Sequence, residues 1–469
     1  MAGLTPGELG RKAVHMTVGG FAFAVRPLGA PLAAVAALAA VLFNAFLLPR
    51  IGGRGLWREG ETKSGFALGI VLYPIAVLLL ILVFARHLEV AAAAWGILAF
   101  GDGMASIFGM AIGRAKLPWN RDKSWAGSCA FVLFGGLAAA ILLLWSAPGR
   151  YSAAFAIAIA FGAALFAALL ESQPLGLDDN LGVPLVTGVL LFCLTLTQGN
   201  WAVVSSPAFT RGLAIGLAVN LVLALAAYAT GGVGRAGAVV GILLGTTIWA
   251  FGGAASFTLL FAFFVLGTAA TKLGYARKAA AGIAQEKGGR RGPGNALSKT
   301  SIPALAAVFA ATTDFPVLFA LALAGAFATA AFDTVSSEVG KAYGRRTYLI
   351  TTLRSVPRGT DGAVSLEGTA AGMGAGLFLG ALGAALGLYP PAGIFAVVLA
   401  AFVATTLESV VGATLEKRGL LDNEAVNFLN SLTGALLAAG AGALRLGAPR
   451  RRAQLRASPA VNKPGPEIP

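Results

Sequence analysis

The sequence predicts an all-α, polytopic integral membrane protein built from two halves of similar organisation. Of its 469 residues, 57% are hydrophobic and only 12% are charged, a composition far outside the range of soluble domains. Apolar runs of spanning length recur along the chain, and at ~20 residues a span they predict roughly 13 to 15 transmembrane helices. An acidic motif that ends one such run occurs twice, which suggests that the two halves are related.

The predicted spans are apolar runs separated by short polar segments. Their lengths allow each run to cross the hydrocarbon core as a helix, because lipid requires every backbone polar group to be paired internally. The clearer runs include residues 32–48, 91–113, 236–251, 257–270 and 315–332, and weaker candidates lie at 14–25 and 302–311.

The basic charge predicts a membrane orientation and no nucleic-acid partner. The formal net charge is +15, but the basic residues stand in short loops between spans and not on an aromatic-rich face. By the positive-inside rule, loops 50–63, 114–124, 272–299 and 341–358 are cytoplasmic. We therefore expect a cytoplasmic (inner) membrane protein whose sites face the cytoplasm. With two cysteines and two histidines, neither a disulfide framework nor a histidine-based metal site is expected.

Two short motifs place an acid near the end of an apolar run and ahead of a basic loop. They occupy residues 102–109 and 333–340, and each begins with an aspartate, Asp102 or Asp333, followed by serine and then glycine at the same spacing. Carboxylates near the hydrocarbon core are costly and are usually retained for function or matched by a partner. An acid beside a cluster of cations suits Mg²⁺ and a polyphosphate. The repeat therefore predicts two similar sites.

Further polar strings repeat in the same order in the two halves. The strings 124–128 and 365–369 share a Ser-x-x-Gly pattern, and the strings 171–180 and 408–423 each begin with Glu-Ser and end with Asp-Asn. A distant internal duplication explains this order; chance similarity between segments rich in small residues is the alternative. The predicted domains are residues 1–205 and 206–447, followed by a disordered basic tail at 448–469.

These residue types suit phosphoryl transfer, which needs cations on the phosphate oxygens, carboxylates for Mg²⁺ and a positioned acceptor. Neither a P-loop nor a protein-kinase motif set is present. The residues alone leave open a membrane phosphotransferase acting on a lipid alcohol and a transporter with intramembrane acids. A cytidylyltransferase acting on a membrane lipid is a third alternative. The charges cluster at one face, which favours chemistry on a lipid headgroup.

Several polar strings of the first half resemble the phytol/dolichol kinase family, whose members phosphorylate polyisoprenoid alcohols with CTP. They are ELGRKAVH, GDGMASIFG, LPWNRDKSWAGS and LLESQPLGLDDNLGVPL, within residues 8–190. The second half, over residues 231–437, resembles the membrane family that contains plant phytyl-phosphate kinase, through GGVGRAGAVVG, ATAAFDTVSSEVG and VPRGTDGAVSLEGT. The resemblance implies phosphorylation of a prenol such as phytol to the monophosphate and then to the diphosphate, for tocopherol or prenylquinone synthesis or phytol salvage.

Together with the residue types, the resemblance implies one set of site residues in each half, with Mg²⁺ as cofactor and CTP as co-substrate. Which acids bind metal and which act as base stays open. The first set is Asp102 and Glu171 as catalytic acids, Asp178, Asp179 and Asn180 for metal, and Lys116, Arg121, Lys123 and Ser124 for phosphates. The second set is Asp333 and Glu408 as catalytic acids, Glu338, Asp361 and Asp422 for metal, and Lys272, Arg290, Arg291 and Arg358 for phosphates.

Overall fold

The chain folds into two compact helical units. The computed structural model describes residues 6–51, 68–173, 178–198, 200–285 and 291–446, and nearly all regular secondary structure among them is helical. The first unit runs to Trp201 and includes Gly419–Asp422, and the second holds Ala202–Arg418 and the residues from Asn423 onward. The predicted all-α fold is confirmed. The predicted tail at 448–469 lies outside the described residues.

The first unit contains eight α-helices among its described residues. A π-helical segment, Ile97–Asp102, joins the fourth helix to the fifth, so that the backbone is continuous from Leu88 to Ile112. Helix α1 continues through a 3₁₀ turn, Gly20–Ala24, into α2. The helices are α1 (Pro6–Gly19), α2 (Val25–Leu42), α3 (Leu68–Val83), α4 (Leu88–Gly96), α5 (Gly103–Ile112), α6 (Trp125–Ser146), α7 (Ala153–Glu171) and α8 (Asp179–Thr195).

The second unit also contains eight α-helices among its described residues, together with one short antiparallel hairpin. Strands β1 (Tyr348–Leu349) and β2 (Ala363–Val364) pair in the connection between the fifth and sixth of these helices. A π-helical segment, Gly412–Glu416, extends the seventh. The helices are α9 (Pro207–Ala229), α10 (Arg235–Lys272), α11 (Tyr275–Ala280), α12 (Pro293–Thr312), α13 (Pro316–Tyr343), α14 (Leu366–Ala385), α15 (Gly393–Val411) and α16 (Asn423–Leu446).

Nine helices of the described ranges are long and apolar enough to cross a membrane. Two kinked helices each contain two of the predicted apolar runs, which lowers the number of separate membrane-spanning helices below the number predicted. Gly29 (φ 68, ψ 170) breaks the helical stretch at residues 9–47, and Gly253 (φ 68, ψ −173) breaks α10. These dihedrals suit only glycine, since a Cβ would clash with the backbone. The protein is an integral membrane protein.

One helix at the centre of each unit carries the motif acid. Of the most apolar 18-residue stretch in Leu88–Ile112, 72% is buried, and in Pro316–Tyr343 the corresponding share is 83%. These are the two highest values among the candidate spans. Both segments are rich in alanine and glycine, which allow neighbouring helices to approach closely in a lipid environment. The other helices therefore pack around the helix that bears Asp102 or Asp333.

Candidate active site

Asp102 lies at the end of the π-helical segment, and its carboxylate meets a lysine from the first helix. Lys12 Nζ of α1 donates to Asp102 Oδ2 at 2.7 Å, and both side chains are largely buried. His15, one turn further along α1, places Nε2 3.6 Å from the same oxygen. A π-helical turn shifts the side chains that follow it and is common at functional sites. The first motif acid thus belongs to a buried lysine–aspartate pair.

A second cation of this unit, Lys123, joins two further acids. Its ammonium bonds to Glu171 at the end of α7 and lies 3.5 Å from Asp179 Oδ2 at the start of α8. The connection from α5 to α6 folds back on itself through a bond from Leu117 N–H to the Lys123 carbonyl at 3.2 Å. Burial lowers the pKa of Lys123, but the carboxylates of Glu171 and Asp179 outweigh burial and raise it, so this side chain stays cationic.

The two ion pairs of the first unit face one cavity of about 880 Å³. Further cations line it from the end of α5 and from α1, so the cavity combines acids with an excess of positive charge. The N-terminus of α6 also reaches this cavity, and helix N-termini attract anions. The lining therefore suits a phosphorylated ligand. Its charged side chains include Lys12, Asp102, Lys116, Lys123, Glu171 and Asp179.

The second unit repeats the lysine–aspartate pair on equivalent helices. Lys299 Nζ of α12 donates to Asp333 Oδ2 of α13 at 2.8 Å and to Thr334 Oγ1 at 2.9 Å. A cavity of about 410 Å³ is lined by this pair together with Asp361 and Glu408. The carboxylate of Glu408 accepts a hydrogen bond from the side-chain amide of Asn430. Each motif aspartate is therefore paired with a lysine and faces a cavity that holds further acids.

The glycine at the end of each motif packs against a glycine of the next helix. A Cβ on Gly127 of α6 would lie 3.6 Å from Gly109 Cα and 3.0 Å from a carbonyl oxygen of α5. A Cβ on Gly368 of α14 would lie 3.3 Å from Gly340 Cα and 2.5 Å from a carbonyl oxygen of α13. The helices cross in backbone contact, which only glycine permits. The start of α6 lines the same cavity as Asp102, and the start of α14 lines the same cavity as Asp333.

The serine that precedes each of these glycines caps the helix. Ser124 Oγ accepts the Gly127 N–H at 3.2 Å, and Ser365 Oγ accepts the Gly368 N–H at 3.1 Å. Ser124 was predicted to bind phosphate; it lines the cavity, and its side-chain oxygen serves as the cap. The backbone N–H groups at the start of the capped helix are better placed than the Ser124 hydroxyl to bind an anion.

The two units also differ at their sites. The position before the capping serine is Lys123 in the first unit and Val364 in the second, so Glu408 has an amide partner where Glu171 has an ammonium. Three residues after the paired lysine stands His15 in the first unit and Ile302 in the second. The extra helices α2 and α3 follow the lysine helix in the first unit, whereas α9 and α10 precede it in the second. The lysine–aspartate pair is repeated, but the side chains and helices around it differ between the two units.

Three of the residues predicted for the first site lie away from its cavity. Asp178 caps α8, because its Oδ1 accepts the backbone N–H of Asn180 at 2.9 Å and the Asn180 side-chain amide at 3.0 Å. Arg121 is exposed in the connection between α5 and α6. None of the three is among the residues that line the cavity, in contrast to Asp102, Lys116, Lys123, Ser124, Glu171 and Asp179.

The structure separates the residues predicted for the second site more widely. Glu338 is fully buried against Lys278, which also donates to the Thr271 carbonyl at 2.8 Å, and it does not line the acidic cavity. A metal-ligand role for Glu338 therefore does not fit this geometry. Lys272 and Arg291 line a different cavity of the same unit. Arg358 and Asp422 line neither of these cavities, whereas Asp333, Asp361 and Glu408 share one; Arg290 lies outside the described residues.

Sequence reasoning missed both paired lysines. Lys12 stands in one of the strings that carry the resemblance but had no assigned role, and Lys299 follows the glycine-rich segment of the second half. They lie 90 and 34 residues before their aspartates, so no local spacing connects each pair. The available signal was a lysine placed next to a weakly apolar run in each half.

The acids suit a metal ion that arrives with phosphates better than a metal held by protein alone. Within the described ranges, no three His, Cys, Asp or Glu side chains converge as metal ligands. Mg²⁺ is commonly held by one or two carboxylates plus substrate phosphates, and Asp102 with Glu171, or Asp333 with Glu408, could supply these. The residues therefore fit Mg²⁺ bound to a nucleotide, and its presence stays a prediction.

Fold and site together define an α-helical integral membrane protein with a repeated lysine–aspartate site. The chain belongs to the family described as integral membrane protein DUF92, whose model matches residues 218–435. It is 48% identical over 201 residues to an uncharacterized membrane protein of Synechocystis sp., covering 42% of this chain and 78% of that protein. No solved structure matches the chain significantly.

Two plant proteins are also similar. Protein VTE6, chloroplastic, of Arabidopsis thaliana is 42% identical over 214 residues, which are 44% of this chain and 64% of that protein. A probable phytol kinase, chloroplastic, of Triticum aestivum is 32% identical over 203 residues, which are 40% of this chain and 67% of that protein. The chain thus spans about two thirds of the length of these plant relatives.

Proposed function

We propose that the chain is a membrane phosphotransferase that phosphorylates a prenol such as phytol in two steps. The first unit forms the prenyl monophosphate and the second unit adds the second phosphate. The observation that carries this proposal is the repeated lysine–aspartate pair, Lys12–Asp102 and Lys299–Asp333, each facing a cavity with further acids and cations. The similarity to a probable phytol kinase supports the substrate class.

In the first step, the prenol oxygen attacks the terminal phosphorus of CTP. An O–P bond forms, the bond from that phosphorus to the bridging oxygen breaks, and CDP leaves. The alcohol loses its proton to Asp102. Lys12, which is paired with Asp102, binds the transferring phosphoryl group. Lys116 and Lys123 line the same cavity and bind the remaining phosphates.

In the second step, a phosphate oxygen of the prenyl monophosphate attacks a second CTP, and CDP leaves again. The attacking oxygen is already ionised, so this step needs charge neutralisation more than it needs a base. Lys299 binds the transferring group beside Asp333, and Glu408 and Asp361 line the same cavity. Mg²⁺ bound with the nucleotide would add charge neutralisation in both steps, and Asp102 with Glu171 or Asp333 with Glu408 would help to hold it.

The prenyl product would serve tocopherol or prenylquinone synthesis, or the salvage of phytol. By the positive-inside rule, the basic loops support a cytoplasmic position for both sites. The prenyl chain stays beside the apolar helices, and only the hydroxyl or phosphate end enters the polar cavity. Both acceptors therefore reach their sites from the bilayer.

The test uses purified protein in lipid nanodiscs with phytol, Mg²⁺ and γ-labelled CTP. Wild-type protein should give labelled phytyl monophosphate and diphosphate. Asp333→Asn should stop at the monophosphate, and Asp102→Asn should give neither product from phytol. Asp314→Asn, a substitution in the α12–α13 connection of the second unit, is the matched control and should behave as wild type.

Two results would contradict the proposal. If label from α-labelled CTP enters the lipid and pyrophosphate is released, the reaction is cytidylyl transfer. If phytol, geranylgeraniol and farnesol all stay unlabelled with both CTP and ATP, phosphotransferase activity is refuted. Substrate flux across proteoliposomes without nucleotide would then favour a transporter.

A further inference from the structure

The second unit contains a second cavity, which is mainly apolar. It has a volume of about 410 Å³ and lies among α9, α10 and α12. Its walls are aliphatic and aromatic, with Leu223, Leu244, Phe257, Phe261 and Phe264 among them. This volume falls within the range of about 300–1,000 Å³ that is usual for ligand sites, and an apolar wall suits a hydrocarbon chain.

One end of this cavity carries an arginine that has no carboxylate partner among the described residues. The Arg291 guanidinium lies 5.9 Å from the ring centroid of Phe263 and 6.0 Å from that of Phe264. Lys12, Lys123, Lys278 and Lys299 each have an acid within 4.0 Å, whereas Arg291 has no such ion pair in the described part of the chain. A cation held against aromatic rings without a direct ion pair can bind an anionic ligand.

The backbone around this arginine is fixed by the glycine-rich segment before α10. Gly234 donates its N–H to the Arg291 carbonyl at 3.2 Å, and the Arg291 N–H donates to the Gly232 carbonyl at 3.0 Å. The side chain crosses α10 at Gly267, where a Cβ would lie 2.5 Å from Nη2. These contacts hold the guanidinium in place before any ligand binds, which reduces the ordering cost of binding.

The apolar cavity and the acidic cavity of the second unit meet at α12. Asn295 lines both of them. Arg291, just before α12, lines the apolar cavity, and Lys299, one turn after Asn295, lines the acidic cavity. Lys272, at the end of α10, adds another cation to the apolar cavity. A ligand with an apolar chain and a phosphate can therefore place its chain in one cavity and direct its phosphate toward the other.

We propose that the apolar cavity is the acceptor site for prenyl monophosphate, which rests on the second step of the proposed function. The isoprenoid chain lies along the aromatic wall from Phe257 to Phe264. Arg291 and Lys272 bind the phosphate, and Asn295 directs one of its oxygens toward Asp333 and Lys299. Arg291 and Lys272 thus select a phosphorylated acceptor over a free prenol and do not bind the nucleotide.

Photolabelling without nucleotide tests this site independently of catalysis. Full-length protein in nanodiscs is irradiated with a diazirine-bearing prenyl monophosphate, and the labelled peptides are mapped by mass spectrometry. Label should fall on α9, α10 and the start of α12, and phytyl monophosphate should compete at least tenfold better than phytol. Label elsewhere, or label that phytyl monophosphate does not displace, would overturn the site and leave a bilayer lipid as its occupant.

Two substitutions separate the phosphate end from the chain end. Arg291→Gln removes a charge-assisted bond and should raise KM for phytyl monophosphate by roughly 10- to 100-fold, with kcat changed much less. Gly241→Leu adds a side chain where a Cβ meets no atom within 4 Å, so the fold tolerates it while the cavity becomes shorter. It should reduce the use of phytyl monophosphate while geranyl monophosphate is retained.

Matched controls are Arg277→Gln, an exposed arginine on α11, and Gly374→Leu, which likewise has open space around its Cβ on α14. Both should leave labelling and KM unchanged. Equal effects of Gly241→Leu on long and short acceptors would refute the chain site. Labelling that maps here without any phosphoryl transfer would refute the proposed function alone, whereas diphosphate formation with label elsewhere would refute this site alone.

Discussion

Replacement of Lys299 tests whether the two lysine–aspartate pairs serve two separate steps. Its ammonium donates to Asp333 and Thr334 at 2.8 and 2.9 Å, and the side chain is 8% exposed. Lys299→Gln keeps a hydrogen-bond donor but removes the charge. Loss of one donor to a transferring group costs about 10²–10³ in kcat, so the second step should slow by that factor.

The substitution also affects stability. Breaking a buried ion pair by removing one partner costs about 3–5 kcal/mol, because the remaining charge is left unpaired. Asp333 borders a cavity and is 21% exposed, and glutamine can still donate to it. The free energy of unfolding should therefore fall by about 3 kcal/mol and not more. Thermal unfolding in nanodiscs checks that the variant remains folded at the assay temperature.

Lys12→Gln is the reciprocal variant. Lys12 donates to Asp102 at 2.7 Å and is 11% exposed, so its burial and its aspartate partner are similar to those of Lys299. With phytol as acceptor, Lys299→Gln should accumulate the monophosphate, and Lys12→Gln should give almost no product. With phytyl monophosphate supplied directly, Lys12→Gln should form the diphosphate at a rate close to wild type.

The assay follows label from γ-labelled CTP into the two lipid products, which are separated by thin-layer chromatography. Arg277→Gln, an exposed cation stacked on Tyr343 at 5.5 Å, controls for the loss of a positive charge from the second unit. If each lysine variant is folded but loses both steps to the same extent, the two units do not act separately and the reasoning is refuted.

Further changes test the packing, the charges and the metal. Gly368→Val places a Cβ 2.5 Å from a carbonyl oxygen of α13, so it should abolish the second step and spare the first in the product assay. Ser365→Ala removes the cap of a helix terminus that lines the cavity of the second unit, so it should cost about 1 kcal/mol in thermal unfolding and raise the share of monophosphate among the products. The pKa of Lys123 is raised above 10.5 because Glu171 and Asp179 outweigh its burial. Its stabilising effect is complete below that value and is lost only as pH rises through the folded pKa, so Lys123→Met should lower the melting temperature equally at pH 6 and pH 8. EDTA should stop both steps, and added Mg²⁺ should restore them.

The sequence was sufficient for the fold class. Of the predicted acids, Asp102, Glu171 and Asp179 line one cavity and Asp333, Asp361 and Glu408 line another, and their roles stay predictions. Apolar runs predicted the membrane helices, and the repeated spacing after Asp102 and Asp333 identified the central helix of each unit. The same spacing contains the glycines that let two helices cross in backbone contact, so part of the motif serves packing and not chemistry. The repeated sequence alone does not show which of its residues serve packing and which serve chemistry.

The partners of the acids depended on contacts between distant segments. Lys12 and Lys299 are far from their aspartates in sequence, and the helix that bears Lys299 is only weakly apolar. Helical geometry would have corrected one assignment. Glu338 lies five residues after Asp333, which at 3.6 residues per turn turns it about 140° away from that acid. It therefore faces Lys278 on the other side of α13.

The separation of each pair along the chain has a consequence for how the protein is made. Lys12 precedes Asp102 by 90 residues, whereas Lys299 precedes Asp333 by 34. At a synthesis rate of about 5–20 residues per second, Lys12 waits roughly 5–18 s for its partner and Lys299 only about 2–7 s. During synthesis, the charge of Lys12 therefore lacks its native partner for longer than the charge of Lys299 does.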